Sequence, residues 1–233
     1  MKAIAQTAFH ESVQITDGPA VLDGDLRVPE RADGLVIFAH GSGSSRFSPR
    51  NRQVASVLES AGFATLMLDL LTQEEEAADL KTGWFRFDIE RLGRRVVAAA
   101  DWAASREPLS VLRQGYFGAS TGAAAALIAA AERPRLCAAV VSRGGRPDLA
   151  DEALERVQAP TLLIVGGDDI PVIELNEQAS QRMRGDVALA IVPHATHLFE
   201  EPGALDEVSI RAADWFRRYL PGSVSPQRGG SNE

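Results

Sequence analysis

Short apolar runs alternate with amphipathic stretches along most of this chain. The apolar runs are rich in Val, Ile, Leu and Ala, which is typical of strands buried on both faces of a parallel sheet. They predict strands at residues 35–39, 64–68, 116–117 with the residues just before, 137–141, 161–165 and 188–192. The amphipathic stretches predict helices at residues 50–61, 88–105, 121–131, 173–183 and 205–219. We therefore predict an α/β domain with a parallel sheet covered by helices.

The two ends of the chain depart from this alternation. Residues 12–28 predict an antiparallel hairpin that enters the sheet, with turns at Asp17-Gly18 and Asp23-Gly24. Residues 221–233 are rich in Pro, Gly and Ser, a composition that predicts disorder. The chain has 233 residues and shows neither an internal repeat nor a domain linker. We therefore expect residues 1–220 to form a single domain.

The connection over residues 70–88 is long for a compact domain, and such connections often form lids or pocket walls. It contains Glu74, Glu75 and Glu76, which we interpret as a solvated face. The stretch from Trp84 to Phe87 holds three aromatic residues, which belong either to the core or to a substrate entrance.

Candidate chemistry starts at Gly118-Ala119-Ser120-Thr121-Gly122, which lies between a predicted strand and an Ala-rich predicted helix. A G-x-S-x-G sequence at such a junction predicts a nucleophile elbow. The two glycines are needed because a side chain at either position would collide with the neighbouring strand or helix. The elbow would present the Ser120 hydroxyl beside a helix N-terminus.

A serine nucleophile needs a base and an acid that orients the base. Two aspartates follow the predicted strand at residues 161–165, and two histidines follow the one at residues 188–192. Both pairs lie at carboxyl ends of strands, where open parallel sheets bind ligands. Between Asp168 and Asp169 we favour Asp169, since the spacing from Gly166 places it deeper in its loop. Between His194 and His197 we favour His197, because His194 directly follows the strand exit.

Negative charge on a substrate oxygen requires backbone N–H donors. We assign these donors to Thr121, directly after the nucleophile, and to Ser42 in the glycine-rich loop after the first buried strand, with Gly41 as the alternative to Ser42. His40 at the start of that loop is interpreted as a structural histidine. The loop lacks the P-loop lysine and the full G-x-G-x-x-G, so nucleotide binding is not expected.

Composition narrows the function classes further. The formal net charge of −8 argues against nucleic acid or an anionic membrane as the main partner, since both require a basic surface. The single cysteine, Cys137, excludes an internal disulfide and is interpreted as a buried core thiol. Neither a signal-peptide core nor an apolar stretch of the ~18 residues needed to span a bilayer is present, so a cytoplasmic protein is expected.

Taken together, the elbow motif, the loop from Gly166 to Asp169, His197 and the loop from His40 to Gly43 resemble the α/β-hydrolase superfamily. The longer strings around residues 40–46, 117–124 and 195–199 are similar to its dienelactone hydrolase-like branch. The resemblance covers residues 20–220 and implies a mostly parallel sheet of about eight strands with helices on both faces. It also implies a Ser-His-Asp triad and neither metal nor cofactor. Dienelactone hydrolases proper carry a cysteine nucleophile, whereas this chain has Ser120.

We therefore predict a carboxylesterase-type serine hydrolase that acts on small-molecule esters, with Ser120, His197 and Asp169 as its triad. Alternatives are a ligand-binding protein with slow or no turnover, and an acyltransferase or perhydrolase using the same triad. No large cap domain fits the length, which suits an open site and short acyl groups. Gly41, Trp84 and Arg143 are candidate pocket residues. Arg143 and Arg146 either attract a substrate carboxylate or pair with Asp148 and Asp151.

Overall fold

A computed structural model describes residues 7–221 of the chain. It contains an eight-stranded sheet with the strand order β1-β2-β4-β3-β5-β6-β7-β8. The strands are β1 (Thr7–Asp17), β2 (Ala20–Pro29), β3 (Leu35–Ala39), β4 (Ala64–Leu68), β5 (Gln114–Ala119), β6 (Cys137–Arg143), β7 (Thr161–Gly166) and β8 (Val187–Val192). β1 and β4 run antiparallel to β2, and all the other neighbouring pairs are parallel. The predicted α/β fold with a mostly parallel sheet is confirmed.

Helices cover both faces of the sheet. They are α1 (Pro49–Ser60), α2 (Gln73–Thr82), α3 (Ile89–Ala104), α4 (Thr121–Glu132), α5 (Ile170–Arg182) and α6 (Ala204–Tyr219), with a 3-10 segment over Pro147–Arg156. One buried cluster joins Ile37 of the sheet to Val96 of α3 and Leu127 of α4. The other joins Phe38 to Val54 of α1 and Phe216 of α6. Alternate residues of β3 thus enter opposite cores, as expected for a strand covered on both faces.

The entry hairpin has one turn, at Gly18-Pro19, and the predicted turn at Asp23-Gly24 is wrong. Gly24 lies inside β2, opposite Val13 of β1 and Leu68 of β4. A Cβ atom on Gly24 would lie 3.1 Å from Val13 Cγ2 and 3.3 Å from Leu66 Cδ1. Crowding between strands, rather than a turn, therefore accounts for this glycine.

The connection over residues 70–88 contains a helix that the hydrophobic pattern did not reveal, namely α2. Its only buried residue is Asp79, so it has no apolar stripe to detect. A capping box starts it, since the Glu75 N–H donates to Thr72 Oγ1 at 3.3 Å and the Thr72 N–H donates to Glu75 Oε2 at 2.9 Å. Gly83, at φ 68°, ends it.

Two interpretations of this connection change with the structure. Glu75 is not part of a solvated face, because its carboxylate accepts from Arg95 of α3 at 2.5 and 2.6 Å. Glu74 and Glu76 are exposed, as expected. Trp84 and Phe87 are 80% and 61% exposed, so a core role for these two aromatics is excluded.

The predicted tail lies outside the described residues apart from Pro221. Between residues 7 and 221, no helix has both the length and the hydrophobicity to cross a membrane.

Candidate active site

Ser120 lies between the end of β5 and the start of α4, in the strained backbone conformation φ 51°, ψ −122°. A non-glycine residue held at positive φ costs about 1–3 kcal/mol and persists only where its surroundings impose it. Here the flanking glycines impose it. A Cβ on Gly118 would lie 2.4 Å from Ala123 Cα, and one on Gly122 would lie 2.3 Å from Ala39 O. The sharp strand-to-helix turn predicted from the motif is thus present.

The loops after β7 and β8 bring an acid and a histidine to this serine. His197 Nε2 is 3.4 Å from Ser120 Oγ, and His197 Nδ1 is 2.6 Å from Asp169 Oδ2. Because a carboxylate only accepts, Nδ1 carries the proton and Nε2 is free to accept from the serine hydroxyl. Asp169 stands at the N-cap position of α5, but its carboxylate makes no cap hydrogen bond and is left for His197.

The competing residues at these two loops face elsewhere. Asp168 is exposed, and its N–H donates to Ala195 O at 3.0 Å. His194 is exposed at φ 59°, in the turn that leaves β8. The structure therefore brings Asp169 and His197 to Ser120, and leaves Asp168 and His194 away from it.

The loop after β3 passes directly beside the serine. A Cβ on Gly41 would lie 3.1 Å from Ser120 Cβ, which shows how closely the two backbones approach. The Ser42 N–H, one of the two N–H donors predicted from the sequence, donates to Thr121 Oγ1 at 2.9 Å. The Thr121 N–H lies in the first turn of α4, where backbone N–H groups have no acceptor within the helix.

His40 fixes this loop to the neighbouring one. The Leu70 N–H donates to His40 Nε2 at 3.0 Å, so the other ring nitrogen, Nδ1, carries the proton and donates to Gly41 O at 2.9 Å. Burial lowers the pKa of His40 and keeps the ring neutral, against smaller opposing contributions from the bond to Gly41 and nearby carboxylates. His40 therefore has the structural role predicted for it.

The two arginines after β6 differ. Arg146 pairs with Asp148 at 2.7 and 2.8 Å. Arg143 is buried, and its Nη1 has no hydrogen-bond partner among residues 7–221. Burial, with a smaller contribution from Arg50, lowers the pKa of Arg143 to about 10, so its guanidinium still carries its charge at neutral pH. Pairing with Asp148 thus holds for Arg146 alone.

A cavity of about 530 Å³, including the part open to solvent, lies beside the β3–α1 loop, and Ser120, Asp169 and His197 are not among the residues that line it. Its walls are residues 40–45, Asp69, Leu71, Glu76, Asp79, Leu80, Arg86 and Leu92. Gly41, a candidate pocket residue, is part of this lining, whereas Trp84 and Arg143 are not. The wall formed by α2 is held in place by Glu75, which pairs with Arg91 at 2.9 Å as well as with Arg95.

Comparison with known proteins identifies the family. The family model for dienelactone hydrolases matches residues 22–220. The chain belongs to the dienelactone hydrolase family. A crystal structure of dienelactone hydrolase from Anabaena variabilis is 57% identical to it, with a TM-score of 0.89 over 91% of this chain and 98% of that one. An esterase of Pyrococcus furiosus shares the fold at 20% identity, with a TM-score of 0.68 over 91% and 93% of the two chains.

A curated relative from Mycobacterium tuberculosis H37Rv, named provisionally as a phosphoribosyl transferase, is 55% identical over 212 residues. The match covers 91% of this chain but 47% of the relative, so the chain spans about half the length of the curated relatives it matches.

Within the dienelactone hydrolase family fold, Ser120 occupies the elbow and Cys137 lies in β6, where it is 5% exposed. Burial raises the pKa of the Cys137 thiol and keeps it protonated, and the predicted buried core position of this cysteine is confirmed.

Two residues that support the histidine were not singled out from the sequence. Gly144, at φ 50°, lies directly under His197, since a Cβ there would be 3.0 Å from His197 O. Phe199 is 2% exposed at φ 57°, an unusual conformation for a bulky residue, and its ring packs over Gly144. The Gly144-Gly145 pair at the end of a predicted strand was a usable signal for close backbone approach. Phe199 was marked only as the last residue of the family-like string over residues 195–199, without a role of its own.

Proposed function

We propose that this family member is a serine hydrolase that cleaves small carboxylic esters through an acyl-enzyme on Ser120. The observation that carries the proposal is the hydrogen-bonded series Ser120–His197–Asp169, with distances of 3.4 and 2.6 Å. A serine hydroxyl becomes a useful nucleophile only when a base removes its proton, and the base must be held in the right tautomer. The hydrogen bond from His197 Nδ1 to Asp169 holds the imidazole in the tautomer that leaves Nε2 free to act as the base.

Acylation follows from these contacts. Ser120 Oγ forms a bond to the ester carbonyl carbon while its proton passes to His197 Nε2, and the carbonyl electron pair moves onto oxygen. Asp169 stabilises the imidazolium that forms. The intermediate then collapses, the bond to the alcohol oxygen breaks, and His197 returns its proton to that oxygen. Water repeats the sequence on the acyl-enzyme and releases the acid and the free Ser120 hydroxyl.

The negative oxygen of each intermediate needs N–H donors, which together are worth several kcal/mol. Thr121 N–H supplies one of them. For the second, the Ser42 N–H exchanges its present acceptor, Thr121 Oγ1, for the substrate oxygen, with the Gly41 N–H as the alternative donor. The hydroxyl oxygen already bound at 2.9 Å marks a position where an oxygen acceptor fits.

Three features of this proposal rest on the sequence alone, namely a cytoplasmic location, small molecules as the substrates, and no nucleic-acid or membrane partner. The transferase name belongs to proteins about twice as long as this chain, and the family match supports hydrolysis for the part that the chain represents.

Ester hydrolysis by the wild type, Ser120→Ala and Ser60→Ala tests the proposal, with acid release from ethyl butyrate followed in a pH-stat. Ser60 is exposed at the end of α1 and serves as the matched control. We expect Ser120→Ala to lower kcat by at least about 10³-fold while Ser60→Ala leaves it unchanged. Equal turnover by wild type and Ser120→Ala contradicts the proposal. Binding of the ester by well-folded wild type without turnover favours a ligand-binding protein.

A further inference from the structure

The cavity beside the β3–α1 loop has a definite position relative to the proposed chemistry. His197 must return its proton to the leaving alcohol, so the alcohol half of a substrate faces the β8–α6 loop. The cavity lies on the opposite side of Ser120, because it is lined by the loops after β3 and β4 and by residues of α2 and α3, and β3 and β4 lie on the other side of β5 from β7 and β8. Ser42 lies in its wall and is also the proposed donor to the carbonyl oxygen. A substrate bound at Ser120 would therefore extend its acyl chain into this cavity.

Three leucines give the cavity wall an apolar part. Leu92 of α3 is 3% exposed. Leu71 and Leu80 supply further apolar surface, and Leu80 stands at the mouth with 77% of its surface exposed. Such walls favour an alkyl chain, which gains roughly 0.8 kcal/mol for each methylene removed from water.

The charged residues that line the cavity are three carboxylates and one guanidinium, so its lining carries a net negative charge. Arg86 lines the cavity, but its Nε donates to Asp79 Oδ2 at 2.5 Å and its backbone N–H donates to Asp79 Oδ1 at 3.0 Å. Asp79 is 3% exposed, and hydrogen bonds and charge from Arg86 lower its pKa although burial alone would raise it. Asp69 is paired with Arg46, which lies outside the lining. Glu76 forms no ion pair with any residue in the described part of the chain.

We propose that this cavity is an acyl subsite for neutral, apolar acyl chains and that it discriminates against acyl chains carrying a carboxylate. The inference rests on the proposed function and specifies its substrate class. A carboxylate entering the cavity would meet Glu76 and would find Nε and Nη2 of Arg86 already hydrogen-bonded to Asp79. Burying an anion without a partner costs far more than burying a methyl group gains.

Comparing two esters of nearly equal size tests the inference. Ethyl butyrate and monoethyl succinate differ in one terminal group, a methyl in the former and a carboxylate in the latter. We expect kcat/KM of the wild type to be at least about tenfold higher for the neutral ester. Equal rates, or a preference for the succinate, overturn the inference.

Charge variants on α2 locate the effect. Glu76→Lys changes the lining, whereas Glu74→Lys makes the same charge change two residues away, outside it. We expect Glu76→Lys to lower the preference for the neutral ester about fivefold, as for a two-unit charge change at about 8 Å in water, and Glu74→Lys to change it less than about twofold. Equal effects of the two variants would place the discrimination in the general field of the protein and refute an acyl subsite here.

Asp79→Asn provides a second route, because it releases the guanidinium of Arg86 while leaving an amide oxygen for the Arg86 N–H. We expect this variant to accept monoethyl succinate better than the wild type does. Affinities of both esters for Ser120→Ala, measured by calorimetry, give the same comparison without turnover. If the wild type hydrolyses neither ester, the proposed function is refuted. If Ser120→Ala binds the two esters with equal affinity, the subsite is refuted.

Discussion

Replacing Glu75 with glutamine should detach α2 from the body of the protein. Glu75 Oε1 and Oε2 accept from Arg95 at 2.6 and 2.5 Å, and Oε1 also accepts from Arg91 at 2.9 Å. The Arg95 side chain is 3% exposed, and its other carboxylate neighbour, Asp17, is 3.8 Å away. In Glu75→Gln, the buried guanidinium keeps an amide oxygen as acceptor but loses its close counter-charge.

The expected cost follows from this geometry. Removing one partner of a buried ion pair costs about 3–5 kcal/mol, because the other charge stays buried. The amide oxygen of the introduced glutamine, the Leu70 carbonyl bonded at 2.5 Å and the more distant Asp17 offset part of this loss. We expect the free energy of unfolding to fall by about 2–3 kcal/mol.

Urea unfolding measures this change, with Glu74→Gln on the same turn of α2 as its control. Hydrogen exchange should show faster exchange at the α2 amides in Glu75→Gln, and KM for ethyl butyrate should rise because α2 forms a wall of the acyl cavity. A loss below about 0.5 kcal/mol, the size typical of an exposed charge, would refute the idea that this pair anchors α2.

The same pair predicts an acid dependence of stability. Burial alone would raise the pKa of Glu75, but its hydrogen bonds with Arg95 and Thr72 and the two arginine charges lower it overall. The pair therefore contributes fully above the unfolded pKa of about 4.5 and is lost as the pH falls through the lower native value. The difference in unfolding free energy between the wild type and Glu75→Gln, measured by urea unfolding, should therefore shrink as the pH falls through this range.

Three further predictions concern the elbow, the cavity and the β3–α1 loop. Gly122→Ala places a Cβ 2.3 Å from Ala39 O, and we expect esterase activity to fall more than about a hundredfold. Gly203→Ala, whose Cβ would have no atom within 4 Å but whose backbone has φ +83°, should lose some stability and keep the activity. Leu92→Ala should shift the preferred acyl length upward by one or two carbons in an ester series and cost about 2–4 kcal/mol of unfolding free energy, whereas Leu127→Ala, outside the cavity, should cost stability without the shift. In the wild type, unfolding free energy should fall as the pH drops below ~6.5, because only the unfolded chain protonates His40 there. His40→Gln should make this fall less steep. An unchanged slope contradicts the neutral, buried role of His40.

The sheet could be predicted from the sequence because its strands are buried on both faces. A strand such as Leu35–Ala39 must then be apolar throughout, and its bounds in the structure equal the predicted ones. The partly covered elements gave weaker signals. α2 buries only Asp79, so its signals were the Thr72-x-x-Glu75 cap and Gly83 rather than periodicity. At Gly24 the sequence carried a misleading signal, because an Asp-Gly pair is typical of a turn. Its close contact with Val13 inside the sheet is visible only in the structure.

Chain order was enough to nominate the site residues, because loops after parallel strands meet at one edge of the sheet. Which member of each pair reaches Ser120 depends on backbone details that a linear pattern does not carry. Asp169 faces His197 because Asp168 turns outward with its N–H on Ala195 O. The partners of Arg86 and Glu75 were likewise hidden. Asp79 meets Arg86 only because the chain turns back after α2, and Arg95 of α3 meets Glu75 only in the folded protein.

An activated Ser120 is the central claim, and covalent labelling tests it without knowledge of the substrate. Wild type, Ser120→Ala and Ser60→Ala are treated with a fluorophosphonate, and the intact masses are compared. We expect one adduct on the wild type and on Ser60→Ala, and none on Ser120→Ala. Absence of an adduct on folded wild type, or an adduct that survives in Ser120→Ala, would contradict an activated serine at the elbow.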